Sequence, residues 1–441
     1  MTRLLFILFF YLFLYPVSAQ SLISREDLAF LKELTQAVVD SSKIYPGQRI
    51  SRDFGPNQTG GVLIRPGGRT SYPAFWIRDY AMSLGTGMIP IKEQKHMLLL
   101  TASTQNDHEF KTQFGSFVPM GAIADHIRID DSLPIYFPGT YDFENQGEIR
   151  WGQQPPLDDM FFFIQMAYVY IKQSGDLSIL QSPIRGKSLF DRLLSAFHAV
   201  PINPLNQLVS VSDFNRGVDF GFRDAIHITG DLCFTSILRY QALLHLAELY
   251  RLQEREKDRL SFLAKADTCK MELIRVFQDR RGMLRASTRK SAQADVWSTS
   301  WAVYLGLLEG ENAMKASNCL AQAYKSNHLA FRGAIRHVLN TDDFNRRTAW
   351  EGSLVEKNSY QNGAYWSTPT AWVAYTISLT QPNLAQQLIK ELISDLKKGD
   401  FRKGKDFGAP WECFTESSRQ NPVYMTSVTV PFQVLLELVS H

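Results

Sequence analysis

Five stretches of the sequence set carboxyl groups beside aromatic rings and side chains that donate paired hydrogen bonds. The first runs from Ser71 to Gly87 and carries Trp76, Arg78 and Asp79 where a loop turns into a helix. An aromatic face, a planar fork of donors and a carboxylate together suit a sugar ring, whose adjacent hydroxyls both give and accept hydrogen bonds. The plainer account of Asp79 is a helix cap favoured by the dipole. The second stretch, Arg150-Trp151-Gly152 through Pro156-Leu157-Asp158-Asp159, again puts two acids at a helix start, where capping competes with binding. In the third, Ser212 to Asp224, the acids Asp213, Asp219 and Asp224 lie among Phe214, Phe220 and Phe222, with Arg216 and Arg223 close by. Apolar rings raise a carboxyl's proton affinity and cations lower it, which is how general acids are tuned, although ordinary salt bridging uses the same residues. The fourth runs from Trp350-Glu351 to Tyr360-Gln361-Asn362-Gly363-Ala364-Tyr365-Trp366, and the fifth places Glu412 and Glu416 next to Trp411.

The elements that must position these residues are helices. Leu28, Leu31, Leu34 and Val38 recur at helical spacing over 25–42, and similar patterns predict helices over 76–88, 91–104, 157–174, 186–199, 230–252, 255–278, 292–308, 311–325, 366–379, 382–398 and 424–439. Few alternating β-branched runs interrupt them, so the class is all-α. Long connections at 43–75, 105–156, 200–229, 326–365 and 399–423 are rich in Gly, Pro, Asp and aromatics, as functional loops are. All five acidic stretches lie in loops ahead of helices, an arrangement that brings them to one end of a helical barrel. Neither a low-complexity linker nor a short repeat divides the chain, so 21–441 reads as one domain, with a small peripheral β-hairpin at Thr59 to Ile64.

At the N-terminus, Arg3 precedes an apolar stretch from Leu4 to Tyr15, closed by Pro16 and followed by Val17-Ser18-Ala19-Gln20. That pattern predicts a cleaved export signal over 1–20 and a secreted or periplasmic protein without stable membrane insertion; the stretch is short for about 30 Å of hydrocarbon. The formal charge is +3 over 441 residues, with no dense basic cluster, which argues against nucleic acid as a partner. Cys233, Cys269, Cys319 and Cys413 lack metal-site spacing, and an oxidising compartment permits one or two disulfides of undetermined pairing. No metal or cofactor is implied. Asn57-Gln58-Thr59 is a glycosylation sequon where the host glycosylates.

This layout resembles the six-hairpin glycosidases, the (α/α)6-barrel superfamily of glucoamylases, glycogen debranching enzymes, trehalases and processing α-glucosidases. The resemblance spans most of the mature chain. It is carried by Phe75-Trp76-Ile77-Arg78-Asp79, Pro156-Leu157-Asp158-Asp159, Asp295-Val296-Trp297 and Tyr360-Gln361-Asn362-Gly363-Ala364-Tyr365-Trp366. It implies a glycoside hydrolase acting on a carbohydrate, with Asp224 as general acid and Glu412, in the last long loop, as general base. The tryptophan two residues before the acid in some relatives is missing here, so Asp219 and Asp213 stay in contention, with Glu416 and Glu351 as alternatives for the second carboxylate. The implied route is inverting hydrolysis, for which the two carboxyls lie about 6.5 to 9.5 Å apart, against about 5 to 5.5 Å for a retaining route. Asp79 and Arg78 are expected to hold the terminal sugar and Trp76, Trp151, Trp366 and Trp411 to wall the pocket. Asp158, Asp159, Tyr360, Gln361 and Asn362 complete the expected binding set.

Two other readings use the same residues. A lyase on a related toroid would abstract a proton with Tyr, His or Arg, but His96, His126 and His245 sit in helix-like contexts and read as structural. A secreted carbohydrate-binding protein that kept the barrel and lost a carboxylate would look much the same.

Overall fold

A computed structural model describes residues 21–440 except Thr70, Ile149 and Trp151, so the expected export signal and Trp151 lie outside the described residues. Twelve α-helices are described: α1 Arg25–Ser42, α2 Ile77–Ser83, α3 Ile91–Ser103, α4 Asp159–Ser174, α5 Leu189–Ala199, α6 Cys233–Leu252, α7 Glu256–Phe277, α8 Val296–Tyr304, α9 Gly310–Lys325, α10 Thr370–Ser378, α11 Pro382–Gly399 and α12 Thr426–Ser440. Each coincides with one of the helices predicted from periodicity.

Two kinds of helix alternate along the chain. In α8 every residue from Val296 to Val303 is buried, and α10 is nearly as enclosed; Ser, Thr and Ala among the larger side chains let such helices be packed on all sides. By contrast α11 buries Ala385, Leu388, Ile389, Leu392, Ile393 and Leu396, spaced three and four apart, on a single stripe, and starts with Pro382 in its first turn. The enclosed helices are the even-numbered ones. They form an inner ring in which α2 packs on α4, α4 on α6, α6 on α8, α8 on α10, α10 on α12 and α12 on α2. The odd-numbered helices form the outer layer, and α1 packs against α12. This is an (α/α)6 barrel.

Because an outer helix separates each inner helix from the next, all six inner helices run the same way. Connections that enter inner helices are long: 43–76, 104–158, 200–232, 278–295, 326–369 and 400–425. Those that leave them are short, as at 253–255, 305–309 and 379–381. The loop mass is therefore gathered at the mouth where the inner helices begin.

The β-structure is made of short pieces in these loops. Ala74–Trp76 pairs with His126–Arg128, which also pairs with Pro134–Ile135, and Trp411–Phe414 pairs with Arg419–Pro422. The peripheral β element expected at Thr59 to Ile64 is present, but Leu63–Ile64 pairs with Lys43–Ile44, which directly follows α1, rather than within a hairpin of its own. All four cysteines are free thiols. Among the described residues no helix is long and apolar enough to cross a membrane.

A buried cation ties the start of one inner helix, α8, to the loop that precedes α6. Arg223 Nη1 lies 3.0 Å from Asp219 and Nη2 lies 2.7 Å from Asp295, the residue that caps α8 through the Ser298 N–H. The guanidinium also lies 4.9 Å from the Trp350 ring centroid. All three charged groups are fully buried, so removing the cation leaves two carboxylates without compensation. Arg223→Met is expected to cost about 3–5 kcal/mol in urea unfolding, and adding Asp219→Asn should recover part of the loss. A loss no larger than that of an exposed arginine would contradict the clamp.

Candidate active site

Glu412 lies on the strand Trp411–Phe414, in the last loop before α12. The hairpin register sets it opposite Asn421, whose amide donates to Glu412 Oε2. Two phenols join it: Tyr72 donates to Oε2 at 2.7 Å and Tyr360 to Oε1 at 3.2 Å. Three uncharged donors from three loops thus hold a carboxyl that is 2% exposed. All three donors have left-handed backbone, with φ of 57° at Tyr72, 40° at Tyr360 and 44° at Asn421. Such conformations cost energy for residues with a β-carbon and persist where the surroundings impose them.

Asp224 reaches the same mouth from the opposite loop. The turn Gly221–Arg223 precedes it, and Phe222 wedges that turn against Trp297 and Trp366, with centroids 5.8 and 5.4 Å away. Gln361 fastens the turn from the side, accepting from the Ala225 N–H at 2.7 Å and donating to the Gly221 carbonyl at 3.1 Å. Gly221 has to lack a side chain, because a β-carbon there would fall 1.7 Å from Arg78 Nε. The Asp224 Oδ1 atom is buried with no hydrogen-bond partner.

Burial is the first cause of an unusual proton affinity at both groups. Asp224 is pushed up to about 7, with the negative charge of Asp125 adding to burial and Arg78 opposing it. Glu412 also rises to about 7, by burial first, against the Asn421 and Tyr72 hydrogen bonds, with repulsion from Asp79 and Asp224 adding to it. Asp79, whose Oδ1 accepts from the Tyr424 phenol at 2.6 Å, is raised to about 6 by burial. Tyr360, which donates to Glu412, also feels the charge of Asp224, so the two carboxyls lie within electrostatic reach of one phenol. Aromatic rings stand beside Glu412: the Tyr72 ring lies edge to face with half-buried Trp76, centroids 4.9 Å apart, and Trp76 is stacked on His126 at 4.3 Å.

Several expected binding residues serve the scaffold instead. Arg78 does not reach for hydroxyls with its whole fork: Nε lies 3.0 Å from Asp158, and Nη2 lies 2.5 Å from Asp125 and 2.7 Å from Asp159. Asp158 and Asp159 each give Oδ2 to Arg78 and keep a buried Oδ1 without a hydrogen-bond partner, and Asp158 Oδ2 also accepts from the Gly221 N–H at 2.9 Å, which holds the turn before Asp224. Asn362 stitches its own loop, accepting from the Ala349 N–H and donating to the Val355 carbonyl. Trp366 is fully buried against Phe222 and Trp297, whereas Trp411 is half-buried. Asp219 is sealed against Arg223 and Thr235, so it has no oxygen to offer a substrate. Glu416 is exposed at the tip of the hairpin that carries Glu412. Glu351 lies 3.8 Å from His227 and Asp213 lies 3.0 Å from the same ring, both beyond the turn that follows Asp224. His126 is on a strand rather than a helix, and its Nδ1 pairs with Asp125 at 2.7 Å.

The residues that went unnoticed are Asp125, Tyr72, Asn421 and Tyr424. Tyr72 lies inside the first motif and Asn421 just beyond the last, but nothing local in the sequence signals a contact across 349 positions. The raised Glu412 makes a testable link to stability. The folded protein keeps this proton where the unfolded chain, at the ordinary 4.5, has released it. The resulting stabilisation is complete below the unfolded value and is lost as pH rises through about 7. Glu412→Gln, which cannot ionise, is therefore expected to gain on the natural protein by on the order of 2–3 kcal/mol from about pH 5 to about pH 8 in urea midpoints. Parallel pH dependence in the two proteins would rule this out.

No family model matches the chain, and no curated protein sequence matches it. Solved structures do. A glucoamylase from Saccharomycopsis fibuligera is 12% identical with a TM-score of 0.56, over 95% of this chain and 96% of that one. A mannosylglycerate hydrolase from Thermus thermophilus, solved in complex with glucose, is 13% identical with a TM-score of 0.54, over 91% of this chain and 99% of that one. A rhamnosidase from Klebsiella oxytoca, with rhamnose bound, is 11% identical with a TM-score of 0.54, over 94% of this chain; the chain spans 64% of the rhamnosidase. The (α/α)6 barrel described above is the six-hairpin fold that these glycoside hydrolases share.

Proposed function

We propose that the protein is a glycoside hydrolase with Asp224 as general acid and Glu412 as general base. One observation carries this reading. At the mouth of the barrel two carboxyls stand outside any ion pair among the described residues: Glu412, held by the uncharged donors Tyr72, Tyr360 and Asn421, and Asp224, with a buried unpartnered oxygen on the turn fastened by Gln361, and burial raises both to about 7. The likeness to three glycoside hydrolases of the same fold supports it as analogy.

The hydrogen bonds assign the roles. Glu412 receives three side-chain donors, which favour its ionised form, while Asp224 keeps its buried Oδ1 without a partner, so that burial outweighs the hydrogen bonds from Gln361 and the Ala225 N–H and favours the proton there. In the reaction, ionised Glu412 takes a proton from water as the water oxygen bonds to the anomeric carbon. The bond from that carbon to the bridging oxygen breaks, and Asp224 gives its proton to the departing oxygen. Asp79, held by Tyr424, and the face of Trp76 are the expected contacts of the terminal sugar. The route is inverting, so the first-formed hemiacetal has the configuration opposite to the substrate's, which proton NMR of early product reads directly.

Turnover is sought with nitrophenyl glycosides and α-linked disaccharides of glucose, mannose and rhamnose. For a substrate that is cleaved, Glu412→Gln is expected to lower kcat by about 10²–10⁴ while calorimetry still detects sugar binding. Retention of most activity would displace Glu412 from the base role. Two interacting carboxyls near 7 also predict a bell-shaped kcat/KM profile centred near neutrality. A profile flat from about pH 5 to about pH 9 would exclude the pair as acid and base.

A further inference from the structure

The inner helices enclose a cavity of 240 Å³ at the end of the barrel away from the mouth, and every one of them contributes to its wall. Tyr304 is the last residue of α8, Met82 is the last but one of α2, and exposed Glu437 lies in the last turn of α12. The rim is therefore at the C-terminal ends of the inner helices. Neither Asp79, Asp224 nor Glu412 lines this cavity. A run of rings closes its inner end: Trp301 is stacked on Phe234 at 4.9 Å, Phe234 on Phe220 at 4.0 Å, and Phe220 meets Phe222 at 5.1 Å. These rings stand between the cavity and the turn that presents Asp224.

The wall is aromatic, and its one ionic group among the described residues is an acid. Trp301 and Trp372 line it with their ring centroids 5.9 Å apart. Glu437 makes no ion pair among the described residues, but its Oε2 accepts from the Tyr304 phenol. Tyr304 lines the cavity too, so this bond holds the carboxylate beside the aromatic wall. Two half-buried amides, Gln241 and Gln433, make no side-chain hydrogen bond among the described residues and keep their donors and acceptors free. Packing places the second of them, because a β-carbon at Gly85, just past α2, would fall 2.2 Å from the Gln433 carboxamide.

An indole face attracts a cation through its quadrupole, most strongly where water is displaced, and an unpaired carboxylate adds to that pull. No Lys, Arg or His opposes it in the wall. A neutral polyol would satisfy the amides but gain little from the charge, and an anion would be repelled by it. We infer that this rear cavity binds a small organic cation, an ammonium with apolar substituents and a hydroxyl, its charge against the tryptophan rings and Glu437 and its hydroxyl on the free amides. The site does not depend on the hydrolase reading.

Choline and the alcohol in which carbon replaces the choline nitrogen have the same shape and the same hydroxyl, so comparing them isolates the charge. In calorimetry with the unaltered protein, choline is expected to bind about tenfold or more tightly than the neutral alcohol. Glu437→Gln, at an exposed position, is expected to weaken choline about five- to tenfold and leave the alcohol unchanged. Gln241→Glu, which gives up no side-chain hydrogen bond, should tighten choline instead. Equal binding of the two probes, no binding of choline, or choline binding that Glu437→Gln leaves unmoved would each overturn the cation site. Hydrolysis is tested by turnover and this site by binding, so either can fail alone.

Discussion

The buried Arg78 cluster is the interaction on which the mouth of the barrel depends. One guanidinium at the start of α2 binds Asp125 from the loop before α4 and Asp158 and Asp159 at the start of α4 itself. Desolvating a guanidinium is costly, and only close, well-directed carboxylates offset it. Asp158 spends its second contact on the Gly221 N–H, so the same cluster sets the turn that presents Asp224. The absence of a side chain at Gly221 lets that turn lie directly on the guanidinium. An interaction that looks in sequence like a sugar clamp is thus the joint between three loops, and the position of Asp224 follows from it.

A second constraint acts on the other wall. The donors that hold Glu412 come from the loops before α2, α10 and α12, and each adopts φ > 0 without being glycine. Left-handed backbone at three such residues disfavours the isolated loops, so the barrel must supply the compensating energy by docking them together. Inner helices enclosed on every side and outer helices with one apolar stripe provide that rigidity. The arrangement holds an acidic side chain by hydrogen bonds alone, which fixes its direction without adding the nearby positive charge that would drive its proton affinity down.

Much of this architecture is legible in the sequence because periodicity is local. The helices expected at 91–104, 255–278 and 382–398 occur as Ile91–Ser103, Glu256–Phe277 and Pro382–Gly399. The gathering of acidic loops at one end follows from the same pattern, since each precedes a helix that proves to be an inner one. What is not legible depends on partners far along the chain. Arg78 and Asp79 are adjacent in sequence, yet one is paired with Asp125, Asp158 and Asp159 and the other with Tyr424. His126 has the flanks of a helical residue, but its strand is only three residues long, too short to show alternation. Asp219 and Asp224 have similar neighbours in sequence, and only the fold separates the one sealed by Arg223 from the one left with a bare oxygen.

That separation follows a simple electrostatic rule. Arg78, Arg223 and Arg336 are all buried near the mouth, and each is matched by aspartates: Asp125, Asp158 and Asp159 for the first, Asp219 and Asp295 for the second, Asp343 for the third. Once these pairs form, no buried cation among them remains to pair with Asp224 or Glu412. Burial then becomes the largest influence on both groups, and repulsion from the surrounding acids adds to it. Had a single aspartate been missing from the Arg78 cluster, its guanidinium would have been freer to draw Asp224 into an ion pair and hold it ionised at neutral pH. The aspartates that never touch a substrate in this scheme are therefore what keeps a proton on the one that gives it away.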